Sequence, residues 1–125
     1  MNKIFKVGLI GCGHISETYF RAQEYFNNIR IVKCADINMD AAKKCAIHYN
    51  IEAVTVEELL KDKKIEIILN LTIPGAHYEV SKMALENEKH SYAEKPLAVN
   101  FEDGKKIVEL AKEKNLYIGN AQILF

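Results

Sequence analysis

Two short runs, Val7-Gly8-Leu9-Ile10 and Ile67-Ile68-Leu69, are apolar at every position. A strand with one face in water alternates apolar and polar residues, so an unbroken apolar run marks a strand covered on both faces. Such strands belong to parallel sheets, whose crossover connections lay helices on either side. Strand-like stretches fall at residues 4–10, 29–35, 53–54, 65–71, 90–93 and 116–118. Amphipathic stretches fill the gaps: one from just after Gly13 to about residue 26, one over 40–49, one opening at Thr55, one over 76–86, and one starting at Asn100. Ala41, Ala42, Cys45, Ala46 and Tyr49 recur at helical spacing in the second. Thr55 and Glu58 form a capping-box pattern at the start of the third. In the fifth, Ile107, Val108, Leu110 and Ala111 are expected to face inward. Strands alternating with helices, joined by right-handed crossovers, predict a doubly wound α/β sheet in three layers, mainly parallel. The chain shows no repeat, low-complexity tract or internal linker, so its 125 residues are read as one domain.

The first strand runs into Ile10-Gly11-Cys12-Gly13-His14-Ile15-Ser16, which reads G-x-G-x-x-S at the opening of a helix. Gly11 allows a tight turn. Gly13 lets a diphosphate approach the backbone with no Cβ in the way, and Ser16 supplies the small residue needed where helix meets strand. The N–H groups around His14 and Ile15, with the dipole of the helix start, attract an anion. Without a ligand the same glycines would simply mark a turn. The second strand ends at Asp36, 36 − 13 = 23 residues past Gly13, near the spacing of the acid that holds a ribose hydroxyl pair. An Asp there could also serve only as a helix cap. A carboxylate repels a 2′-phosphate, and Ile37 and Asn38 offer no cation, so NAD is expected rather than NADP.

Two other glycine turns are weighed against this one. A phosphate-binding P-loop needs Gly-Lys-Ser/Thr after the turn, and His14-Ile15-Ser16 does not supply it. S-adenosylmethionine sites share a glycine turn and an acid ending the second strand. They often carry a further acid just before the first glycine, and Val7-Gly8-Leu9-Ile10 has none.

Composition narrows the partners. Lys+Arg and Asp+Glu both number 17, so no basic excess points to nucleic acid or an anionic membrane. No apolar run approaches the roughly 20 residues of a membrane span, and no apolar leader precedes the first strand. Cys12, Cys34 and Cys45 are odd in number and lack C-x-x-C spacing, which reads as reduced structural thiols in a cytoplasmic protein. His14, His48, His77 and His90 are scattered, and no metal site is expected.

In a doubly wound sheet, ligands lie across the carboxyl ends of the strands. There the fourth strand passes into Thr72-Ile73-Pro74-Gly75-Ala76-His77, and the fifth into Ala93-Glu94-Lys95-Pro96-Leu97-Ala98. Thr72, Ile73 and Pro74 could line a cofactor. His77 could join them or be a surface or cap histidine. Taken in order over the whole chain, Gly11-Cys12-Gly13, Asp36, Thr72-Ile73-Pro74, His77 and Lys89-His90-Ser91-Tyr92-Ala93-Glu94-Lys95-Pro96-Leu97-Ala98 resemble the N-terminal Rossmann domain of the Gfo/Idh/MocA oxidoreductases. The Glu-Lys-Pro element in its setting is the most specific part.

The resemblance implies a family that moves a hydride between a nicotinamide cofactor and a secondary alcohol of a sugar or cyclitol. It implies Lys95 as the catalytic ammonium beside the reacting oxygen and as a cofactor contact, Glu94 as the acid orienting Lys95 and the nicotinamide ribose, and Pro96 as the turn aiming Lys95. By themselves these residues would be a surface ion pair before a proline. Family chains are more than twice as long and draw a catalytic histidine and the substrate pocket from a second α+β domain. This chain stops at Ile123-Leu124-Phe125, just past the sixth strand, an ending that reads as a cut. It is therefore expected to be the isolated nucleotide-binding domain, inactive alone. The face meeting the second domain would be apolar, which favours self-association, and a homo-oligomer is expected. A non-catalytic NAD-binding redox sensor or partner subunit is the alternative, against which the Glu94-Lys95 pair argues.

Overall fold

The structure, a computed structural model, describes residues 3–94 and 98–120. It contains six strands and five α-helices in the order β1 (Phe5–Ile10), α1 (Ile15–Ala22), β2 (Ile29–Ala35), α2 (Met39–Tyr49), β3 (Glu52–Ala53), α3 (Val56–Lys61), β4 (Ile67–Asn70), α4 (Pro74–Glu86), β5 (His90–Ala93), α5 (Phe101–Lys114) and β6 (Ile118–Asn120). The sheet order is β3-β2-β1-β4-β5-β6, and every neighbouring pair is parallel. The chain winds outward from β1 to one edge, returns to place β4 beside β1, and winds outward to the other. This is the doubly wound Rossmann arrangement, with its switch point between β1 and β4.

The apolar runs explain the layers. Side chains alternate across a strand, so Val7 and Leu9 of β1 face one side and Ile10 the other. On the first side they join Ile31 and Cys34 of β2, Phe20 of α1, and Cys45 and Ala46 of α2. There the rings of Phe20 and Tyr49 stack 3.8 Å apart. On the second side Ile10 and Ile68 pack with Leu59 and Leu60 of α3 and Val80 and Ala84 of α4. Helix α5 closes that side through Ile107 and Ala111, which gather with Leu85. No described helix is long and apolar enough to cross a membrane.

Local signals place most helix starts. Asn38 caps α2 and Asn100 caps α5 through their side-chain oxygens, and Thr55 and Glu58 complete the capping box of α3. The differences from expectation have local causes. Helix α1 ends at Ala22 and passes into a 3-10 turn, Gln23–Tyr25, from which Gln23 Oε1 accepts the Ile31 N–H at 2.8 Å. Helix α4 begins at Pro74 rather than residue 76, since proline has no N–H to lose at a first helical position. Strand β6 starts at Ile118 rather than Leu116. Asn115 ends α5 in the left-handed region at φ 59°, and the Leu116 N–H still bonds back to Ala111. Strand β3 covers Glu52–Ala53, one residue earlier than read from the sequence. Val108 faces solvent, not the core: it lies about 100° round the helix from Ile107, off the stripe formed by Ile107, Leu110 and Ala111.

Lys89, just before β5, is buried, and its ammonium donates to the carbonyls of Asp62 and Ile65 at 2.6 and 2.8 Å. Burial holds its pKa below the usual lysine value. It ties α3 to the start of β4 at the amino ends of the strands, opposite the edge described next.

Candidate functional site

Sheet register decides which residues share the carboxyl edge. Ile10 lies opposite both Ala35 and Asn70, Asn70 opposite Ala93, and Ala93 opposite Asn120. Gly11, Asp36, Leu71 and Glu94 are therefore the first residues past one common rim.

The two glycines play different parts. Gly11 has φ +104°, and a Cβ there would lie 2.5 Å from the Leu71 carbonyl oxygen. Its N–H donates to Ala35 O at 2.9 Å, so the turn is clamped between β2 and the end of β4. Gly13 is exposed, and nothing lies within 4 Å of where its Cβ would stand. Ser16 is buried, and its hydroxyl donates to Gly13 O at 2.6 Å, locking the turn onto α1. His14 occupies the N-cap position with no side-chain cap. The N–H groups of Gly13, His14 and Ile15 meet no acceptor among the described residues. Unpaired donors at a helix start, beside open space, suit a bound diphosphate.

Asp36 joins this turn directly. Its Oδ2 accepts the Cys12 N–H at 2.8 Å and its Oδ1 accepts the Asn38 N–H at 2.9 Å. The carboxylate is half-buried and pinned in orientation, with further lone pairs open to a diol.

The third part is built on Asn70, a residue the sequence reading missed. It is fully buried at the end of β4. Its Oδ1 accepts from the Thr72 N–H at 3.2 Å and the Thr72 hydroxyl at 2.6 Å. Its Nδ2 donates to His77 O at 3.0 Å and to Ser81 Oγ at 2.9 Å. The Ser81 hydroxyl in turn meets Ser91 Oγ of β5 at 3.3 Å. His77 is only 1% exposed, so a surface position does not describe it. Its Nε2 lies 2.6 Å from the Thr72 carbonyl oxygen, so it braces the β4–α4 loop from below. The loop's outer residues, Ile73, Pro74 and Gly75, are exposed. Replacing Asn70 by leucine takes the shared acceptor from the Thr72 N–H and hydroxyl and breaks the bonds to His77 O and Ser81 Oγ. It is expected to lower the unfolding free energy by about 2 kcal/mol in chemical denaturation.

Glu94 follows β5, and its N–H donates to Asn70 O at 3.1 Å. Asn120 Nδ2 donates to the carbonyls of Ala93 and Glu94, each at 3.1 Å, fixing the strand end from the other side. The Glu94 carboxylate reaches back across the sheet, and its Oε1 accepts the Tyr19 hydroxyl of α1 at 2.5 Å. Burial and then this bond push the Tyr19 phenol above its usual pKa, so it stays a proton donor. Lys95, Pro96 and Leu97 lie outside the described residues. Tyr19→Phe keeps the ring against Tyr92 but removes the bond to Glu94. It is expected to cost about 1 kcal/mol of stability in thermal unfolding.

The cysteines are also brought together. Cys12, Cys34 and Cys45 come from the glycine turn, β2 and α2, and their sulfurs all lie within 4.8 Å of one another. The expectation of three structural thiols and no metal site missed this convergence, because spacing along the chain carries no sign of it.

A family model described as an oxidoreductase family with an NAD-binding Rossmann fold matches residues 5–121. An inositol 2-dehydrogenase/D-chiro-inositol 3-dehydrogenase from Lacticaseibacillus casei is 30% identical over 119 residues, covering 90% of this chain and 34% of that enzyme. Among solved structures, a 3-ketoreductase from Actinomadura kijaniata, in complex with NADP and TDP-benzene, superposes with a TM-score of 0.89. It is 25% identical, and the match covers 94% of this chain and 37% of that one. A protein of gentamicin A biosynthesis in complex with NAD superposes with a TM-score of 0.91 at 15% identity, over 97% of this chain and 35% of that one, which is a likeness of fold. The chain thus spans about a third of the length of the relatives it matches.

Proposed function

This chain belongs to the Gfo/Idh/MocA oxidoreductase family, and we propose that residues 1–125 are the NAD-binding domain of a longer dehydrogenase acting on a secondary alcohol of a sugar or cyclitol. One observation carries the cofactor reading: the open Gly13 turn is hydrogen-bonded through the Cys12 N–H to the Asp36 carboxylate at the sheet's switch point. The turn presents unpaired N–H groups and free space for a diphosphate. The carboxylate, held one hydrogen bond away, takes the hydroxyl pair of the adjoining ribose. A bound nicotinamide supplies the hydride chemistry. The chain's own residues bind and orient it: Thr72 and Ile73 form the rim beyond β4, and Glu94, anchored by Tyr19, forms the rim beyond β5.

In the proposed reaction Lys95 holds its ammonium against the substrate oxygen and lowers the alcohol's pKa as charge develops there. Glu94 sets the lysine's direction. The similarity to an inositol dehydrogenase supports a cyclitol or sugar as substrate. Among related folds both NAD and NADP are held, and we assign NAD to this chain on the charge of Asp36. Bonded to the ribose hydroxyls, that carboxylate would repel a 2′-phosphate, and Ile37 beside it is fully exposed and uncharged. The sugar or polyol substrate, a homo-oligomeric parent and a cytoplasmic location belong to the same proposal.

Isothermal titration of the chain with NADH and NADPH tests the reading. Wild type is expected to bind NADH saturably and NADPH at least about tenfold more weakly, a difference of about 1.4 kcal/mol. Asp36→Ala should weaken NADH and narrow that preference. Saturable NADH binding indifferent to Asp36→Ala would place the cofactor elsewhere.

A further inference from the structure

We propose that Cys12, Cys34 and Cys45 form a three-sulfur site for one closed-shell thiophilic metal ion, of the chemistry of cuprous copper. Three observations support it. First, the sulfurs come from three separate elements, yet all lie within 4.8 Å of one another. Three thiolates bonded to one ion at about 2.3 Å sit roughly 4 Å apart, so small side-chain adjustments close the site. Second, the surroundings suit a soft ion. Cys34 is fully buried and Cys45 nearly so, among Val7, Leu9, Phe20 and Ile31. Half-buried Cys12 in the glycine turn offers the way in. Third, the thiols are weakly engaged. Cys12 Sγ meets Ala35 O at 3.6 Å and Cys34 Sγ meets Ala42 O at 3.4 Å, contacts readily exchanged for metal bonds.

Ligand type and number select the ion. Thiolates favour cuprous copper and zinc over hard cations. A structural zinc ion takes four ligands, whereas among the described residues the group holds three cysteines and no fourth histidine, cysteine or carboxylate. Three sulfurs around a monovalent ion fit that set. On binding, each ligating sulfur donates a lone pair to the ion and gives up its proton to solvent, and no electron is transferred. Cys12 lies between Gly11 and Gly13 with its N–H on Asp36, so a bound ion also stiffens the cofactor turn. The site stands on sulfur geometry alone and is independent of the nucleotide reading. The competing account is that three small apolar thiols merely fill space.

The test is anaerobic titration of the reduced chain with Cu⁺ delivered as its coloured bicinchoninate complex. Loss of the chelator's colour is followed, and the ion is counted by native mass spectrometry. One Cu⁺ per chain is expected to leave the chelator. Cys12→Ala and Cys45→Ala should each weaken retention by more than the roughly ten- to hundredfold that loss of an outer-shell partner costs. His48→Gln should leave it unchanged. Should Cys45→Ala fail to fold, Cys12→Ala at the half-buried turn position decides the matter, with circular dichroism confirming the fold. A chain that withdraws no copper, a Cys12→Ala variant that withdraws it as well as wild type, or retention of Zn²⁺ but not Cu⁺ would overturn the proposal.

Discussion

Gly11→Ala is expected to lower the unfolding free energy by about 3 kcal/mol or more, a fall in melting temperature of roughly 10 °C for a domain of this size. Two costs combine. At φ +104° a side chain is strained, and its Cβ would stand 2.5 Å from the Leu71 carbonyl oxygen. Backbone cannot move aside as a flexible side-chain tip can, because the Leu71 N–H is itself tied to Ile10 O at 2.8 Å. Gly13→Val should behave in the opposite way. Nothing lies within 4 Å of its Cβ, so stability should stay within about 0.5 kcal/mol of wild type. The valine would instead fill the space proposed for the diphosphate. Losing one or two charge-assisted hydrogen bonds of about 1.5–3 kcal/mol each weakens NADH by roughly a hundredfold. Thermal melts and NADH titrations of both variants separate a glycine required by the fold from one required by the ligand. A Gly13→Val chain that binds NADH normally would remove the turn from the proposed site.

Lys95→Ala carries the second large effect. In the full-length protein, removal of the ammonium proposed to stand at the reacting oxygen should lower turnover by about 10²–10⁴-fold. The dissociation constant for NADH should change little, because the cofactor's main anchors are the Gly13 turn and Asp36. Steady-state kinetics with NADH binding measured in parallel reads both quantities. Ordinary turnover in this variant would make the Glu-Lys-Pro element structural and remove Lys95 from the proposed catalytic role.

Much of this protein is local and so readable along the chain. Unbroken apolar runs such as Val7–Ile10 report strands buried on both faces, and a two-sided parallel sheet follows from them. Capping residues Thr55 and Asn100 act within three residues of themselves. The G-x-G turn and Asp36 announce a nucleotide-binding edge because their spacing is set by one strand–helix–strand unit. Helix ends are less legible: α1 tightens into a 3-10 turn at Gln23, whose side chain bonds Ile31 of the next strand.

What tertiary structure alone decided is which side chains from separate elements meet. Tyr19 meets Glu94 over 75 positions, Asn70 gathers Thr72, His77 and Ser81, and three cysteines from three elements converge. The burial of His77, its ring 2.6 Å from the Thr72 carbonyl oxygen, likewise appears only in the folded structure. Periodicity encodes which face of an element is apolar, but not which other element that face will meet. Strand order and register supply that information, and they exist only once the sheet has formed.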